Sequence, residues 1–285
     1  MTTTPLAESY AYCRRLARRT AHNFYFSFLT LPRDRYDAMC ALYAFLRIAD
    51  DLGDDPQKSF DQRRSDLHQW HEQTLAALRG DPAEHPALPA IADLVRRFRV
   101  PAEHLFDVLD GIERDLQPVQ IQTFREFEDY CYHVAGAVGL CCIQIWGYRD
   151  PEAIPLAIEC GLAFQWTNIL RDVAEDWSLG RVYLPAVDLQ RFHYTTDDLA
   201  ASRYDERFYE LMRFEADRTR SCYVRARRLI PLLDPAGRRI LRAMLSIYGG
   251  LLDELERRQF NVFRGRIALP RWKKLWFAVR AMLSA

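Results

Sequence analysis

The stretch Tyr130–Tyr148, YCYHVAGAVGLCCIQIWGY, carries no Asp, Glu, Lys or Arg over 19 residues, close to the length of a membrane-spanning helix. It also holds His133, Gln144 and three glycines, and it lies mid-chain in a protein of mean hydropathy −0.27. A helix that is apolar on every side, set among amphipathic neighbours, is a core helix. The run is therefore read as the buried centre of a large helical protein, and the chain as soluble or peripheral to a membrane rather than integral.

Outward from that run the periodicity is helical nearly end to end. Tyr36, Met39, Cys40, Tyr43, Leu46 and Ala49 recur at three- and four-residue spacing and predict an amphipathic helix over Arg33–Leu52. Thr123 and Glu126 form a capping-box pattern that opens a helix leading into the uncharged run. Asp150-Pro151 and Asp234-Pro235 each read as an N-cap followed by proline at the first helical position. Breakers fall at 80–89, near Pro118, at 149–151, at 178–185 and at 231–237. With no internal repeat, linker or shift in composition, the expectation is one all-α domain spanning residues 1–285.

Lys+Arg and Asp+Glu are both 39 in a chain of 285 residues, so no global field directs it to nucleic acid. Only Lys58, Lys273 and Lys274 are lysine; the other basic residues are arginine, which suits bidentate phosphate contacts. Seven cysteines without a CxxC pair, behind an N-terminus with no signal peptide, read as reduced core thiols of a cytoplasmic protein. No HExxH or Cys/His ligand spacing points to zinc.

Two acidic clusters break the helical logic. Asp50-Asp51-Leu-Gly-Asp54-Asp55 holds two i, i+4 carboxylate pairs, and Asp172-Val-Ala-Glu175-Asp176 holds one i, i+4 pair and one i, i+3 pair. Each like-charged pair costs a helix about 0.2–0.5 kcal/mol. Both clusters also fall near predicted helix C-termini, the wrong pole for carboxylates. A hydrated acidic face explains one such cluster. The second is harder to explain that way, because Asn168 and Gln165 precede Asp172 at helical spacing and extend a polar stripe into the apolar stretch Cys160–Leu170. Buried amides and carboxylates need partners. With Arg47 and Arg171 alongside, two facing carboxylate groups suit Mg²⁺ ions bridging a diphosphate.

Arg47 with Asp50-Asp51-Leu-Gly-Asp54, and Gln165-Trp-Thr-Asn168-Ile-Leu-Arg171-Asp172-Val-Ala-Glu175-Asp176 followed by Gly180-Arg181-Val-Tyr183-Leu-Pro185, resemble the two aspartate-rich motifs of the squalene/phytoene synthase family. Tyr130–Gly139 resembles that family's central helix motif, and His22-Asn-Phe-Tyr-Phe26-Ser27 its N-terminal motif. The matches run in order from about residue 10 to residue 275.

The resemblance implies an isoprenoid synthase-type helical bundle around a deep central cavity, and head-to-head (1'-1) condensation of two allylic diphosphates. It assigns Asp50, Asp54, Asp172 and Asp176 to two or three Mg²⁺ ions, with Asp51, Asn168 and Glu175 as further candidates. Arg47, Arg171 and Arg181 would take phosphate oxygens; Tyr43, Gln165, Asn168 and Tyr183 would orient them. Tyr130 is a polar contact near the reacting carbons or a proton relay. Phe24, Phe26, Phe28, Phe164 and Trp166 are candidates for an apolar tunnel, with Ser27 beside them, and Ala135 and Gly139 admit either a prenyl chain or another helix.

The expected substrate is farnesyl diphosphate, giving presqualene diphosphate as in bacterial hopanoid-pathway members. Phytoene from geranylgeranyl diphosphate is the alternative, and a scaffold relative without activity the remote one. NADPH use stays open. The segment from Arg264 to the end has six basic residues and no acid, with Trp272, Leu275, Trp276, Val279 and Met282 near helical spacing; it reads as a membrane-surface contact or as a terminal helix packed on the core.

Overall fold

The computed structural model describes residues 5–21 and 25–283, so His22, Asn23 and Phe24 of the N-terminal motif lie outside the described residues. The architecture is helical throughout. The first half runs α1 (Leu6–Thr20), α2 (Tyr25–Phe28), α3 (Arg33–Gly53), α4 (Phe60–Arg79), α5 (Leu88–Phe98), α6 (Ala102–Arg114) and α7 (Phe124–Cys131). A π-helical turn, Tyr132–Gly136, joins α7 to α8 (Ala137–Trp146). Then come α9 (Ala153–Ser178), α10 (Ala186–Arg191), α11 (Thr196–Ala200), α12 (Glu206–Ala226), α13 (Pro235–Arg257) and α14 (Arg271–Leu283).

The uncharged run is the buried centre expected from its composition, but it is two α-helices with the π turn between them, not one. Cys131, Gly136, Ala137, Leu140, Cys141, Cys142, Ile143, Ile145 and Trp146 are all buried. Among the described residues no helix is long and apolar enough to cross a membrane. All seven cysteines are buried free thiols.

Helix α9 is the axis. Its buried residues, from Ala153 through Cys160, Phe164 and Trp166 to Val173, occupy nearly every side of the helix, and α8, the π turn, α7, α12 and α13 all pack on it. Small residues permit that approach. A Cβ on Gly139 would stand 2.6 Å from the Ala157 carbonyl oxygen, and one on Gly161 would stand 2.4 Å from that of Ala135. Both are sub-van der Waals contacts with backbone, so the glycines fix the spacing of α8 and the π turn against α9.

The capping readings hold in part. Thr123 Oγ1 accepts the Glu126 N–H at 3.2 Å, but the Glu126 carboxylate reaches back to the Gln122 N–H at 2.9 Å rather than to that of Thr123. Asp234 occupies the N-cap position of α13 with Pro235 next; its carboxylate pairs instead with Arg35 (3.3 Å) and Arg149 (3.4 Å), tying α3 and the loop after α8 to α13. Asp150 does not cap α9. That helix opens two residues later than expected, at Ala153, because Asp150 and Pro151 form a turn in which the Asp150 carboxylate accepts the Glu152 N–H at 2.8 Å.

One short parallel pair departs from the all-helical expectation: β1 (Val119–Gln120) beside β2 (Arg181–Val182). Gly180, at φ 74°, turns the chain out of α9 into β2. The pair fastens the segment after the second acidic cluster to the segment after α6, and this placement fixes Arg181 and Tyr183.

Two glycine substitutions test the packing argument. Gly161→Ala is expected to lower unfolding free energy by about 1–3 kcal/mol, because the new methyl meets immovable backbone. Gly249→Ala, mid-α13 with nothing within 4 Å of a new Cβ, should raise it by about 0.5–1 kcal/mol. Urea titrations of both variants check the pair.

Candidate active site

A cavity of about 550 Å³ opens between α3, α6, the α7–π–α8 unit, α9 and α13. Its wall is divided by chemistry. Carboxylates and arginines ring one end: Arg47, Asp50 and Asp54 from α3, Asp115 from the end of α6, and Arg171, Asp172, Glu175 and Asp176 from α9. The other end is apolar, with Val138, Cys142, Ile143, Trp146, Leu229 and Met244 on its wall. The polar stripe Gln165, Asn168, Asp172, Asp176 faces this space as one helical row, and the uncharged run contributes Tyr130, Val134, Ala135, Val138, Gly139, Cys142, Ile143 and Trp146 in a second. Ala135 and Gly139 thus serve both readings: they contact or lie over the α9 backbone, and they line the cavity.

The charged ring is unevenly neutralised. Arg171 pairs with Asp172, and Arg266 reaches both Asp172 (3.2 Å) and Glu175 (3.4 Å). Arg181 donates to Asp54 at 2.7 Å and to the Asp115 carbonyl at 2.8 Å. Arg47 pairs with Asp51. Among the described residues, Asp50 and Asp176 have no ion pair. Asp50 is exposed on the open side of the cavity, yet the protein packed around it, and then Asp54, push its carboxyl up to about 7. Burial, and then Asp172, pushes Asp176 up to about 8. At neutral pH the ring therefore favours added positive charge.

Beside the ring, Tyr130 donates to Asp115 at 2.8 Å and stacks on Tyr183 with ring centroids 4.7 Å apart. Burial and the adjacent Asp115 carboxylate raise the Tyr130 hydroxyl well above its ordinary range, so it stays protonated. Burial also raises Asp115, against the bond from Tyr130. Two oxygens facing this region, Asp115 Oδ1 and Asn168 Oδ1, are shut off from solvent with no hydrogen-bond partner among the described residues. These are oxygen donors of the kind a hard divalent cation takes. No group of three or more acidic, His or Cys side chains among the described residues is arranged to hold a metal alone.

Of the residues singled out in sequence, Tyr43, Arg47, Asp50, Asp54, Tyr130, Ala135, Gly139, Gln165, Asn168, Arg171, Asp172, Glu175, Asp176 and Tyr183 meet at this cavity. Arg181 stands behind the ring, on Asp54. Asp51 does not line the cavity; it projects about 100° around the helix from Asp50 and pairs with Arg47. Phe26 and Ser27 sit on α2, outside the lining: Ser27 is buried in the core, and the Phe26 ring lies edge-on to Tyr25. Phe164 lines the tunnel; Trp166, on the opposite face of α9, packs on Phe124 and Phe127, and Phe28 packs on Tyr43. Asp115 and Arg266 were not anticipated. Asp115 is one of several acids along α6 and its end, with Asp107, Asp110 and Glu113, and Arg266 follows Arg264 by two residues; no motif or polar stripe singles either out.

The cavity thus has acids and arginines at one end and apolar side chains at the other. The family model described as "Squalene/phytoene synthase" matches residues 17–273. The chain is 37% identical to a phytoene synthase of Arthrospira platensis, over 98% of this chain and 94% of that one. It is 34% identical to a 15-cis-phytoene synthase of Synechococcus elongatus, with the same coverage of 98% and 94%. Among solved structures it superposes on a dehydrosqualene synthase with TM-score 0.89 at 28% identity, covering 97% of this chain and 96% of that one. A squalene synthase from Alicyclobacillus acidocaldarius matches with TM-score 0.83 at 30% identity, covering 90% and 96%. The chain belongs to the squalene/phytoene synthase family. It is a prenyltransferase, and its reaction class is the head-to-head joining of two prenyl diphosphates.

Asp176→Asn tests the charge argument without added ligand. Removing one crowded carboxylate should raise the melting temperature of the ligand-free protein by about 2–4 °C per kcal/mol of relieved repulsion, while turnover falls about a hundredfold or more. Calorimetry and a product assay on the same preparation check both halves.

Proposed function

We propose that the chain condenses two molecules of geranylgeranyl diphosphate head to head to phytoene. The observation that carries the reaction is the cavity itself, with acidic groups of α3 and α9 facing across one end and apolar side chains closing the other. The choice of substrate rests on the curated relatives, whose names are phytoene synthases across nearly the whole chain. They favour the alternative over the farnesyl expectation, although squalene synthases stand among the structural neighbours.

In this reading Asp50, Asp54, Asp172 and Asp176, with Asn168, would hold Mg²⁺, which when bound would supply positive charge against the charge developing on pyrophosphate. Arg47, Arg171 and Arg266 leave their carboxylate partners to take phosphate oxygens, and Arg181 keeps Asp54 in place through its 2.7 Å bond. The C1–oxygen bond of the donor breaks with its electron pair on pyrophosphate. The allylic cation is then attacked by the acceptor alkene, and loss of a proton closes a cyclopropyl diphosphate. The stacked Tyr130 and Tyr183 rings offer π faces to the cation beside the acidic end. Val138, Ile143, Phe164 and Met244 exclude water from it along the tunnel. A second ionisation followed by proton loss gives phytoene without a reductant, so NADPH has no part in this reaction.

Purified protein is to be incubated with farnesyl or geranylgeranyl diphosphate, with and without NADPH and with and without EDTA, and products read by mass spectrometry. Geranylgeranyl diphosphate is expected to give a C40 hydrocarbon independent of NADPH, abolished by EDTA and restored by Mg²⁺. Asp50→Asn and Asp172→Asn should each lower its rate about a hundredfold or more. Preferential C30 product would overturn the chain length and leave the reaction class standing.

A further inference from the structure

On the side of α9 turned away from the cavity lies a second group of buried acids. Glu215 of α12 is fully buried and Asp188 of α10 is 4% exposed. One nitrogen serves both: Arg218 Nη1 lies 2.7 Å from Asp188 Oδ2 and 3.6 Å from Glu215 Oε1, so the two carboxyl groups are neighbours. Aromatic rings close the space around them. The Arg218 guanidinium stacks over Phe124 at 4.9 Å and over Phe214 at 4.0 Å, and Trp166 of α9 packs on Phe124 and Phe127. Arg191 of α10 also reaches the Phe214 ring, at 4.4 Å, but forms no ion pair with either acid among the described residues.

Three atoms of this group lack partners. Glu215 Oε1, Glu215 Oε2 and Trp166 Nε1 are shut off from solvent with no hydrogen bond among the described residues. As a carboxylate, Glu215 would set two acceptors against those of Asp188, with one guanidinium for two negative charges, which is costly in a site closed to solvent. A single proton resolves all of it. Protonated Glu215 donates through one oxygen to Asp188 and accepts the Trp166 N–H on the other, and the group becomes neutral overall. Burial, and then the Asp188 charge, accordingly push the Glu215 carboxyl well above its ordinary range, against the opposing pull of Arg218.

The pair stands at one end of a segment that serves the active site. Asp188 follows Arg181 by seven residues and Tyr183 by five, and these two rest on Asp54 and on the Tyr130 ring. Backbone bonds from Ala186 to Ile121 (2.9 Å) and from Val187 to Gln122 (3.2 Å) fasten the segment on one side; the acids fasten it to α12. We propose that Glu215 is a positioning residue: it carries a proton that it shares with Asp188, and this carboxyl–carboxylate bond clamps α10 to α12 and so keeps Arg181 and Tyr183 at the charged end of the cavity. The clamp touches no reacting atom and is independent of prenyl chain length. Because the folded chain holds this proton where the unfolded chain has released it, its contribution to stability is full below the ordinary glutamate range and is lost as pH rises through the raised one.

Glu215→Gln supplies the donor permanently, since its amide bonds to Asp188 at any pH. Melting temperature and turnover of the full chain are to be followed from mildly acidic to alkaline pH, with Mg²⁺ and geranylgeranyl diphosphate or, if that is not turned over, farnesyl diphosphate. The wild type is expected to lose both as pH rises and Glu215→Gln to lose less, its melting temperature falling by at least about 2 °C less. Infrared spectra at neutral pH should show a protonated-carboxyl band in the wild type that is missing from Glu215→Gln. Glu215→Ala, which removes the bond, should lower kcat about tenfold with KM little changed, while Glu215→Gln keeps the wild-type kcat at neutral pH. Equal pH profiles for wild type and Glu215→Gln, an unchanged carboxyl band, or wild-type kcat in a folded Glu215→Ala protein overturns the proposal. Should the alanine variant not fold, the glutamine profile and the infrared band decide alone.

Discussion

Carboxylate repulsion at the C-terminal ends of α3 and α9 is the constraint around which the rest is arranged. Asp50 and Asp54, and Asp172 and Asp176, repel one another along each helix, and they sit at poles that already carry partial negative charge. Arginines from four separate places in the chain hold this charge in check: Arg47, Arg171, Arg181 and Arg266. Asp50 and Asp176, which have no ion pair among the described residues, are pushed up to about 7 and about 8 by the protein packed around them and their like-charged neighbours. Part of the protein's electrostatic cost thus sits in groups that line the cavity, a trade of stability of the kind seen at functional sites.

The hydrocarbon half of the cavity depends on a different economy, the absence of side-chain bulk. Gly139 and Gly161 bring the α7–π–α8 unit against α9 at backbone distance. The π turn, closed by the Ala137 N–H bonding to the Tyr132 carbonyl, shifts the helical phase between Tyr130 and Val138 so that both face the same space. The β1–β2 pair then brings Tyr183 onto Tyr130 and Arg181 onto Asp54, closing the polar end from the side opposite α3.

Much of this was legible before any coordinates. The row Gln165, Asn168, Asp172, Asp176 declared itself because polar residues at helical spacing interrupt an apolar stretch, and Arg33–Gly53 because its apolar positions repeat every three or four residues. What stayed hidden had no periodicity to reveal it. Asp115 is one of several acids in and after α6, and what sets it apart is Tyr130, fifteen residues on, brought back to it by a bend. The π turn leaves no mark on an uncharged run, because it alters phase and not composition. Trp166 misled because one face of a helix buried on all sides looks like any other in sequence; only the rings of Phe124 and Phe127 show which way it points.

The place of Arg266 in the chain carries a consequence for biogenesis. During synthesis α3 emerges first and α9 about a hundred residues later, so the two acidic clusters can meet before α12, α13 and α14 have been made. Until Arg266 follows, Glu175 has no ion-pair partner among the described residues, and Asp172 has only Arg171. The ring of charge is therefore completed only when Arg266, 94 residues after Asp172, has been added.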